Sequence, residues 1–469
     1  MAKSNPSTFY IRTYGCQMNE LDSEIMVGML QQRGLKWVTD ETEADLLIFN
    51  TCSIRDLAER KVMGKLGKLG NTAQAKQALI GVTGCMANAK KGSLLDKLPH
   101  VDFVLGTNNI HDLHRVLDEL IGGGDRMALT DRKFIHELDY HLTHRDDPVK
   151  AHVSISRGCD KFCTYCVVPY TRGPEVSRSP EAIVAECKAL VDRGYQEITL
   201  LGQNVNSYGK DHPEWGCLFH DLLARIADES GVARLRFMTS HPVDITRQLM
   251  YAIRDVKAVC PFVHFPFQAG SNRILRKMHR IYLIEEYLEK VEQLRSIVPG
   301  VALGTDVIVG YPTETYEEFL ETKKLIRDIE FSVGFFFTYS PRKGTPAMRW
   351  TDDVPLEEKE KRLQELLEEQ EPIYAKQRQA LLGQEIEVLL EGPSMKDPRL
   401  LKGRTPCWKK ILVPAPERLI GTFQRVRPHS FTHQTLLAEL ATPAAEEEKE
   451  APRLQAASRK ERSSLPMLR

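Results

Sequence analysis

The central part of the chain alternates short apolar strands with segments of helical spacing, and this alternation limits the fold more than any other feature. Between residues 151 and 352, helical segments such as 181–193, 285–298 and 315–329 separate the apolar runs. The six strand candidates are 152–156, 197–203, 234–240, 262–268, 304–310 and 333–340. Six βα units predict a full or partial (β/α) barrel, with its chemistry at the carboxyl ends of the strands.

The flanking regions have different patterns. Apolar runs at 9–13, 44–51 and 78–84, separated by helical segments, predict a parallel-sheet α/β domain. A charged helix over 355–382 is followed by strand-like segments at 385–392, 409–416 and 419–426, which predict a small β-barrel. We therefore predict an α/β protein with domains at 1–135, 145–380 and 383–441, and a disordered tail at 442–469 that is rich in Ala, Glu, Lys, Ser and Pro.

Composition and charge exclude several classes of protein. Lys+Arg and Asp+Glu are equal at 64 each, so a nucleic-acid partner would have to contact a local basic patch. The chain has no long apolar run and no secretion signal at its start, which predicts a cytoplasmic protein without membrane contact. The 10 cysteines are therefore free thiols, nucleophiles or metal ligands rather than a disulfide framework.

Three of these cysteines follow the first barrel strand in a Cys-x3-Cys-x2-Cys pattern, as Cys159, Cys163 and Cys166. Thiolates are the natural ligands of an iron–sulfur cubane, and three of them leave the fourth iron open. An open iron can bind S-adenosylmethionine (SAM) and deliver an electron to it, which releases a 5′-deoxyadenosyl radical. The alternative is a structural zinc site, which normally needs a fourth ligand. The spacing, with Tyr165 before the last cysteine, resembles that of the radical-SAM superfamily.

Cys16, Cys52 and Cys85 form a second candidate site. Each lies just beyond the end of an apolar run in the N-terminal region. If these runs are parallel strands of one sheet, their carboxyl ends share an edge and the three thiols converge there. The alternative is three small buried cysteines. Four further cysteines have no partner at ligand spacing, and we assign no role to Cys187, Cys217, Cys260 and Cys407.

The motifs around both triads together resemble the methylthiotransferase family, over about residues 8–430. The resemblance depends on YGCQMNELDSE (14–24), NTCSIRDLAERK (50–61), GCMA (84–87), SRGCDKFCTYCVVPYTRGPEVSR (156–178), LLGQNVNSYG (200–209), TSHP (239–242), QAGSNRILRKMHR (268–280), TDVIVGYPTET (305–315) and YSPRKGTPA (339–347). Cys16-Gln-Met-Asn and the residues after Cys166 are most similar to the branch acting on prenylated adenosine in tRNA. Arg280-Ile-Tyr departs from the family pattern, and we expect it to lie away from the cluster ligands.

The resemblance implies a radical-SAM enzyme with an N-terminal methylthiotransferase domain, a radical-SAM barrel and a C-terminal TRAM domain. It implies two 4Fe-4S clusters, one on each cysteine triad, and SAM as both methyl donor and radical source. The implied substrate is a tRNA anticodon loop carrying N6-isopentenyladenosine at position 37, which would receive a 2-methylthio group. The implied electron donor is a flavodoxin-like or ferredoxin-like protein.

Other binding residues are predicted from their places in the pattern. Polar residues near strand ends, together with Tyr165, are the candidate SAM contacts: Gln203, Asn204, Ser240, Gln268 and Asp306. In the basic segment 396–427, Trp408 and Phe423 are candidates for base stacking, and the candidate RNA contacts are Lys402, Arg404, Lys409, Lys410 and Arg425. In each case the alternative is an ordinary solvated surface.

Two other functions stay open from the sequence. One is a related methylthiotransferase acting on threonylcarbamoyl-adenosine in tRNA or on a ribosomal protein. The other is a non-catalytic RNA-binding protein with a structural metal, which would not turn over SAM.

Overall fold

The computed structural model describes residues 5–53, 56–72, 77–131, 140, 143–433 and 435–442. The predicted disordered tail lies outside these residues from position 443 onward. Along the described ranges, every helix is too short or too polar to cross a membrane.

The N-terminal region is a six-stranded parallel sheet with helices on both faces. Its strands, in the spatial order β2-β1-β3-β4-β5-β6, are β1 (Thr8–Thr13), β2 (Lys36–Trp37), β3 (Leu46–Thr51), β4 (Leu79–Gly84), β5 (Phe103–Leu105) and β6 (Met127–Leu129). Its helices are Gln17–Gln32, Asp56–Leu69, Cys85–Lys90, Ser93–Lys97 and Leu113–Ile121. The three predicted strands are confirmed, whereas β2, β5 and β6 have only two or three residues each and were not predicted.

The central region contains the six predicted βα units. Its strands are β7 (Lys150–Ser154), the short pair β8 (Ser156–Arg157) and β9 (Val176–Ser177), β10 (Glu197–Leu201), β11 (Arg234–Phe237), β12 (Phe262–His264), β13 (Ala302–Val309) and β14 (Val333–Thr338). Strands β7, β10 and β11 form one parallel group and β12, β13 and β14 another. Among the described residues, a parallel bridge joins Leu235 of β11 to Val259, three residues before β12, so the result is a barrel-like array rather than one continuous sheet.

Helices cover the outside of this array. They are Val168–Thr171, Pro180–Asp192, Phe219–Ser230, Arg247–Asp255, Asn272–Lys277, Ile284–Ile297, Tyr316–Ile329 and Leu356–Gln379. Local sequence sets where they begin: the Ser179 hydroxyl accepts a hydrogen bond from the Ala182 N–H at 3.2 Å. Thr315 and Glu318 form a capping box at the start of Tyr316–Ile329. Such caps satisfy N–H groups that the first helical turn leaves without partners.

The C-terminal region is a closed five-stranded barrel, as predicted. Its strands, in the order β15-β16-β17-β19-β18, are β15 (Ile386–Pro393), β16 (Leu400–Arg404), β17 (Lys410–Pro414), β18 (Phe423–Phe431) and β19 (Leu436–Leu440). Strands β16 and β19 were not predicted. Alternating apolar residues such as Val388, Leu390, Ile411 and Val413 fill its core.

The C-terminal barrel packs against the amino ends of the central strands. Lys150, the first residue of β7, forms an ion pair with Glu391 at 2.8 Å. Arg234, the first residue of β11, pairs with Glu387 at 3.0 Å and donates to the Arg404 carbonyl at 2.9 Å. The C-terminal barrel therefore lies at the end of the central strands opposite to their carboxyl ends.

Candidate active site

The three N-terminal cysteines lie at one edge of the six-stranded sheet. Cys52 directly follows β3 and Cys85 directly follows β4, while Cys16 comes three residues after β1. These strands are neighbours, and their register pairs Thr13 with Asn50 and Thr51 with Gly84. The predicted convergence at the carboxyl edge therefore follows from the topology.

Glycine permits the close approach of two of these loops. Gly15 has a φ of +134°, and a Cβ at this position would lie 2.8 Å from the Cβ of Cys52. Asn19 completes the connection, because its amide donates to the Asn50 side chain at 3.1 Å and to the Thr51 carbonyl at 3.0 Å. The loops after β1 and β3 are therefore held together beside Cys16 and Cys52.

An arginine from the central region reaches this triad. Arg172 is 2% exposed, its guanidinium donates to Asp22 at 3.1 Å, and it lies close enough to Cys85 and Cys16 for their charges to act on it. Burial disfavours its charge, but Cys85, Asp22 and Cys16 together raise the pKa of Arg172 above the ordinary value. Sequence analysis missed this residue, although it lies inside a quoted motif, because its contact is with a region more than 80 positions away.

The second triad follows β8 on a loop that a glycine also shapes. Gly158 has a φ of +83°, and a Cβ there would lie 1.8 Å from the Pro174 carbonyl oxygen. Its N–H donates to the Gln203 side-chain oxygen at 2.5 Å, which connects the loop to the end of β10. Cys159, Cys163 and Cys166 come directly after this point, at the carboxyl end of the central strands.

The expectation for Arg280 is wrong. Its guanidinium lies 3.6 Å from the Cys163 sulfur and donates to the Pro266 carbonyl at 2.9 Å. Arg280 follows a short helix, Asn272–Lys277, that brings it back under the cysteine loop. Each triad therefore has one buried arginine beside a thiol. Arg172 is far from Cys85 in the sequence, and Arg280 is far from Cys163.

Three of the thiols, those of Cys16, Cys159 and Cys166, need a metal to ionise at neutral pH. Burial raises the pKa of Cys159 and of Cys166 to about 12 each, and burial also raises the pKa of Cys16. Iron binding would therefore release protons from these thiols. The buried arginines Arg172 and Arg280 offset part of the negative charge that the thiolates would then carry.

Within the described ranges, no three His, Cys, Asp or Glu side chains are close enough to share one metal ion. A cubane cluster needs a different geometry, because each thiolate binds a different iron and the thiolate sulfurs stay apart. The central triad lies on one loop and the N-terminal triad at the ends of three neighbouring strands, and each triad has a buried arginine and a glycine turn beside it, which fits a cubane cluster.

Polar atoms without partners lie at the same end of the central strands. Among the described residues, the Asn204 and Ser240 side-chain oxygens and the His264 Nδ1 are buried without a hydrogen-bond partner. They follow or end β10, β11 and β12. Buried polar atoms are almost always satisfied, so this edge fits a polar ligand such as SAM.

The other predicted SAM contacts have different surroundings. Tyr165 packs edge-on against Tyr311 with ring centroids 6.4 Å apart. Gln268 is buried with a φ of +69°. Asp306 lies within β13 rather than near its end, and its carboxylate is 3.1 Å from His264 Nε2.

One of the predicted RNA contacts, Lys409, is separate from the others. Lys402, Arg404 and Lys410 lie on β16 and β17, and Arg425 is exposed on β18. Lys409 instead turns toward the central region, where its ammonium donates to the Gln377 side chain at 2.6 Å and the Ser332 carbonyl at 3.3 Å. Burial lowers the pKa of Lys409 to about 8. Lys409 therefore connects two regions of the protein.

The expected stacking aromatics are also engaged within the protein. Trp408 stacks on Phe262 with ring centroids 5.5 Å apart, and the Arg236 guanidinium lies 4.9 Å from the Trp408 ring centroid. The Arg234 guanidinium lies 4.7 Å from the centroid of Phe423. Both rings therefore contribute to the interface between the two barrels, and base stacking by Trp408 and Phe423 stays a prediction.

Comparison with protein families agrees with this architecture. Residues 8–106 match a family described as uncharacterized protein family UPF0004, and residues 153–326 match the radical SAM superfamily. The radical S-adenosylmethionine methyltransferase TsrM from Kitasatospora setae, solved with tryptophan substrate and a SAM analogue, aligns with a TM-score of 0.54 at 13% identity over 73% of this chain and 75% of its own. The fold is thus that of a radical-SAM protein.

Two curated relatives specify the family further. The tRNA-2-methylthio-N(6)-dimethylallyladenosine synthase of Protochlamydia amoebophila is 67% identical, over 92% of this chain and 96% of its own length. The synthase of the same name from Thermoanaerobacter pseudethanolicus is 44% identical, over 92% of each chain. The chain belongs to the family of tRNA-2-methylthio-N(6)-dimethylallyladenosine synthases.

Proposed function

We propose that this protein is a radical-SAM methylthiotransferase that converts N6-isopentenyladenosine at position 37 of tRNA to its 2-methylthio derivative. The observation that carries this proposal is the pair of cysteine triads at the carboxyl edges of two strand arrays, joined by Arg172. The 67% identity to a tRNA-2-methylthio-N(6)-dimethylallyladenosine synthase supports the same substrate.

Each triad has a separate role in this proposal. Cys159, Cys163 and Cys166 would hold the 4Fe-4S cluster that works with SAM, and Cys16, Cys52 and Cys85 would hold a second 4Fe-4S cluster. When bound, the first cluster and SAM supply radical chemistry, which the C2–H bond of an adenine needs because it offers no acid–base route at neutral pH. Asn204, Ser240 and His264 would bind SAM, together with Tyr165, Gln203, Gln268 and Asp306.

The remaining predictions concern the partners and the organisation of the chain. Lys402, Arg404, Lys410 and Arg425 would contact tRNA phosphates from the C-terminal barrel. The three folded regions would correspond to domains at 1–135, 145–380 and 383–441. A flavodoxin-like or ferredoxin-like protein would supply electrons, in the cytoplasm.

Mass spectrometry of nucleosides from total tRNA tests the function directly. Without this gene, we expect 2-methylthio-isopentenyladenosine to disappear and isopentenyladenosine to accumulate. Restoring the gene should reverse both changes. If the 2-methylthio nucleoside is unchanged, the proposed substrate is wrong, and threonylcarbamoyl-adenosine or a ribosomal protein becomes the substrate to test.

Replacing Arg172 should change the N-terminal cluster. In an Arg172→Gln variant we expect a lower midpoint potential for that cluster, by on the order of 60 mV, because one charge-assisted contact contributes about 1.5 kcal/mol. Redox titration followed by electron paramagnetic resonance measures this. Arg157→Gln is the matched control, since Arg157 is also buried and pairs with Asp22 at 2.8 Å. Equal shifts in both variants would contradict a direct effect of Arg172.

A further inference from the structure

A basic groove lies on the N-terminal region, with a lining residue two positions before Cys16, and none of the residues assigned above belongs to it. The groove has a volume of about 400 Å³ and lies between the end of β1 and the helix Asp56–Leu69. Its lining residues, which we call the basic groove, are Arg12, Tyr14, Arg60, Lys61, Gly64, Lys65 and Lys68. Five of these seven residues carry a positive charge, so the groove fits a polyanion.

One carboxylate outside the lining pairs with two of its cations. Glu41 pairs with both Arg12, at 3.5 Å, and Lys65. Arg60, Lys61 and Lys68 are exposed. The Arg12 Nε atom is buried and has no hydrogen-bond partner within the described residues. None of the seven lining residues is acidic, so the lining itself is positively charged, and the Arg12 Nε is a donor without an acceptor among the described residues.

Two glycines on the helix of the groove have no packing reason. Gly64 and Gly67 lie inside Asp56–Leu69, and a Cβ at either position would meet no atom within 4 Å. Glycine inside a helix lowers its stability relative to alanine. Because the two glycines are three residues apart, they lie on one side of the helix, where the cations also lie. The helix backbone has no side-chain cover there, so the backbone of a nucleic acid could approach it closely.

The position of the groove matters for the reaction. Tyr14 is two residues before Cys16, and the helix begins four residues after Cys52. The C-terminal barrel, in contrast, lies at the amino ends of the central strands, and β7 and β10, each five residues or about 16 Å long, separate it from the central triad. A tRNA held only by that barrel would have no anchor beside the site of chemistry.

We propose that the basic groove binds the sugar–phosphate backbone of the substrate tRNA next to the N-terminal cluster. This inference rests on the proposed function, because it takes tRNA as the substrate. Two anchors, one on the C-terminal barrel and one in the basic groove, would span the distance between them and fix the anticodon loop over the cysteines.

The salt dependence of tRNA binding tests the proposal. The probe is tRNA purified from cells that lack this gene, and its affinity is measured by fluorescence anisotropy at several salt concentrations. For the Arg60→Ala/Lys61→Ala/Lys68→Ala variant we expect weaker binding and a slope of log K against log[salt] that is shallower by about 2, since each lost phosphate contact removes about 0.7–0.9. The matched control, Lys188→Ala/Lys257→Ala/Lys324→Ala, removes three exposed charges from the central region and should keep the wild-type slope.

The glycines provide an independent variant. Gly64→Ala/Gly67→Ala should raise the melting temperature, because alanine favours the helix, and should nevertheless weaken tRNA binding. An unchanged slope in the triple groove variant, or tight binding by the more stable alanine variant, would overturn the proposal. If the wild-type protein does not bind the tRNA, the proposed function fails, and this inference fails with it.

Discussion

A Cys163→Ala variant should lose the reductant-dependent release of 5′-deoxyadenosine. Cys163 is 7% exposed, lies in the middle of the central triad and has the Arg280 guanidinium 3.6 Å from its sulfur. Removing it leaves two thiolates for a cluster that needs three, together with a buried arginine without its anion. Loss of an outer-shell partner already costs up to about 100-fold in metal affinity, so loss of a ligand should cost at least that. Chromatography of the nucleoside released from SAM measures the effect.

The control for this variant is Cys187→Ala. Cys187 is fully buried in the helix Pro180–Asp192, outside both triads, so the same substitution there tests the effect of losing a buried sulfur alone. We expect it to cleave SAM as the wild type does. If Cys163→Ala also cleaves SAM at the wild-type rate, the assignment of the central triad is wrong.

A Cys52→Ala variant should separate SAM cleavage from sulfur insertion. Cys52 directly follows β3, in a sheet distinct from the central strands, so the central triad and its SAM-binding edge should stay intact. We expect 5′-deoxyadenosine to form while no 2-methylthio product appears on tRNA. Both products are quantified from the same reaction, so differences in the amount of active enzyme between samples do not affect their ratio.

Cys260→Ala is the matched control for Cys52→Ala, because Cys260 is also almost fully buried but lies just before β12. It should form both products. Iron analysis adds a second readout, since Cys52→Ala should retain the iron of one cluster only. A Cys52→Ala variant with full methylthiolation would contradict the assignment of the N-terminal triad.

Most of the fold was predictable because buried parallel strands have a strong local signal. The runs at 44–51 and 78–84 became β3 and β4, which are buried along their whole lengths. The strands that were missed are short or amphipathic: β5 has three residues, and β16 contains two basic residues among its five. These strands form because they pair with strands that are far away in the sequence, and the periodicity of apolar residues carries no information about that pairing.

The RNA contacts, unlike the fold, were hard to predict from the sequence. Composition identified a basic segment, but Lys409 and Trp408 point into the interface between the C-terminal and central barrels. Both residues lie in the turn before β17, and tertiary contacts decide where such a turn directs its side chains, so a basic segment alone does not say which of its cations meets solvent.

For both cysteine triads, the sequence by itself determined the strand ends that they follow and predicted their chemistry, because local spacing and strand ends specify these. Only the tertiary structure decided that Arg172 lies beside Cys85, that Arg280 lies beside Cys163 and that the C-terminal barrel packs at the end of the strands remote from the clusters. These contacts join segments separated by about 90 to 240 residues. Burial and charge pairing select such contacts after the chain has folded, and no local pattern in the sequence records them.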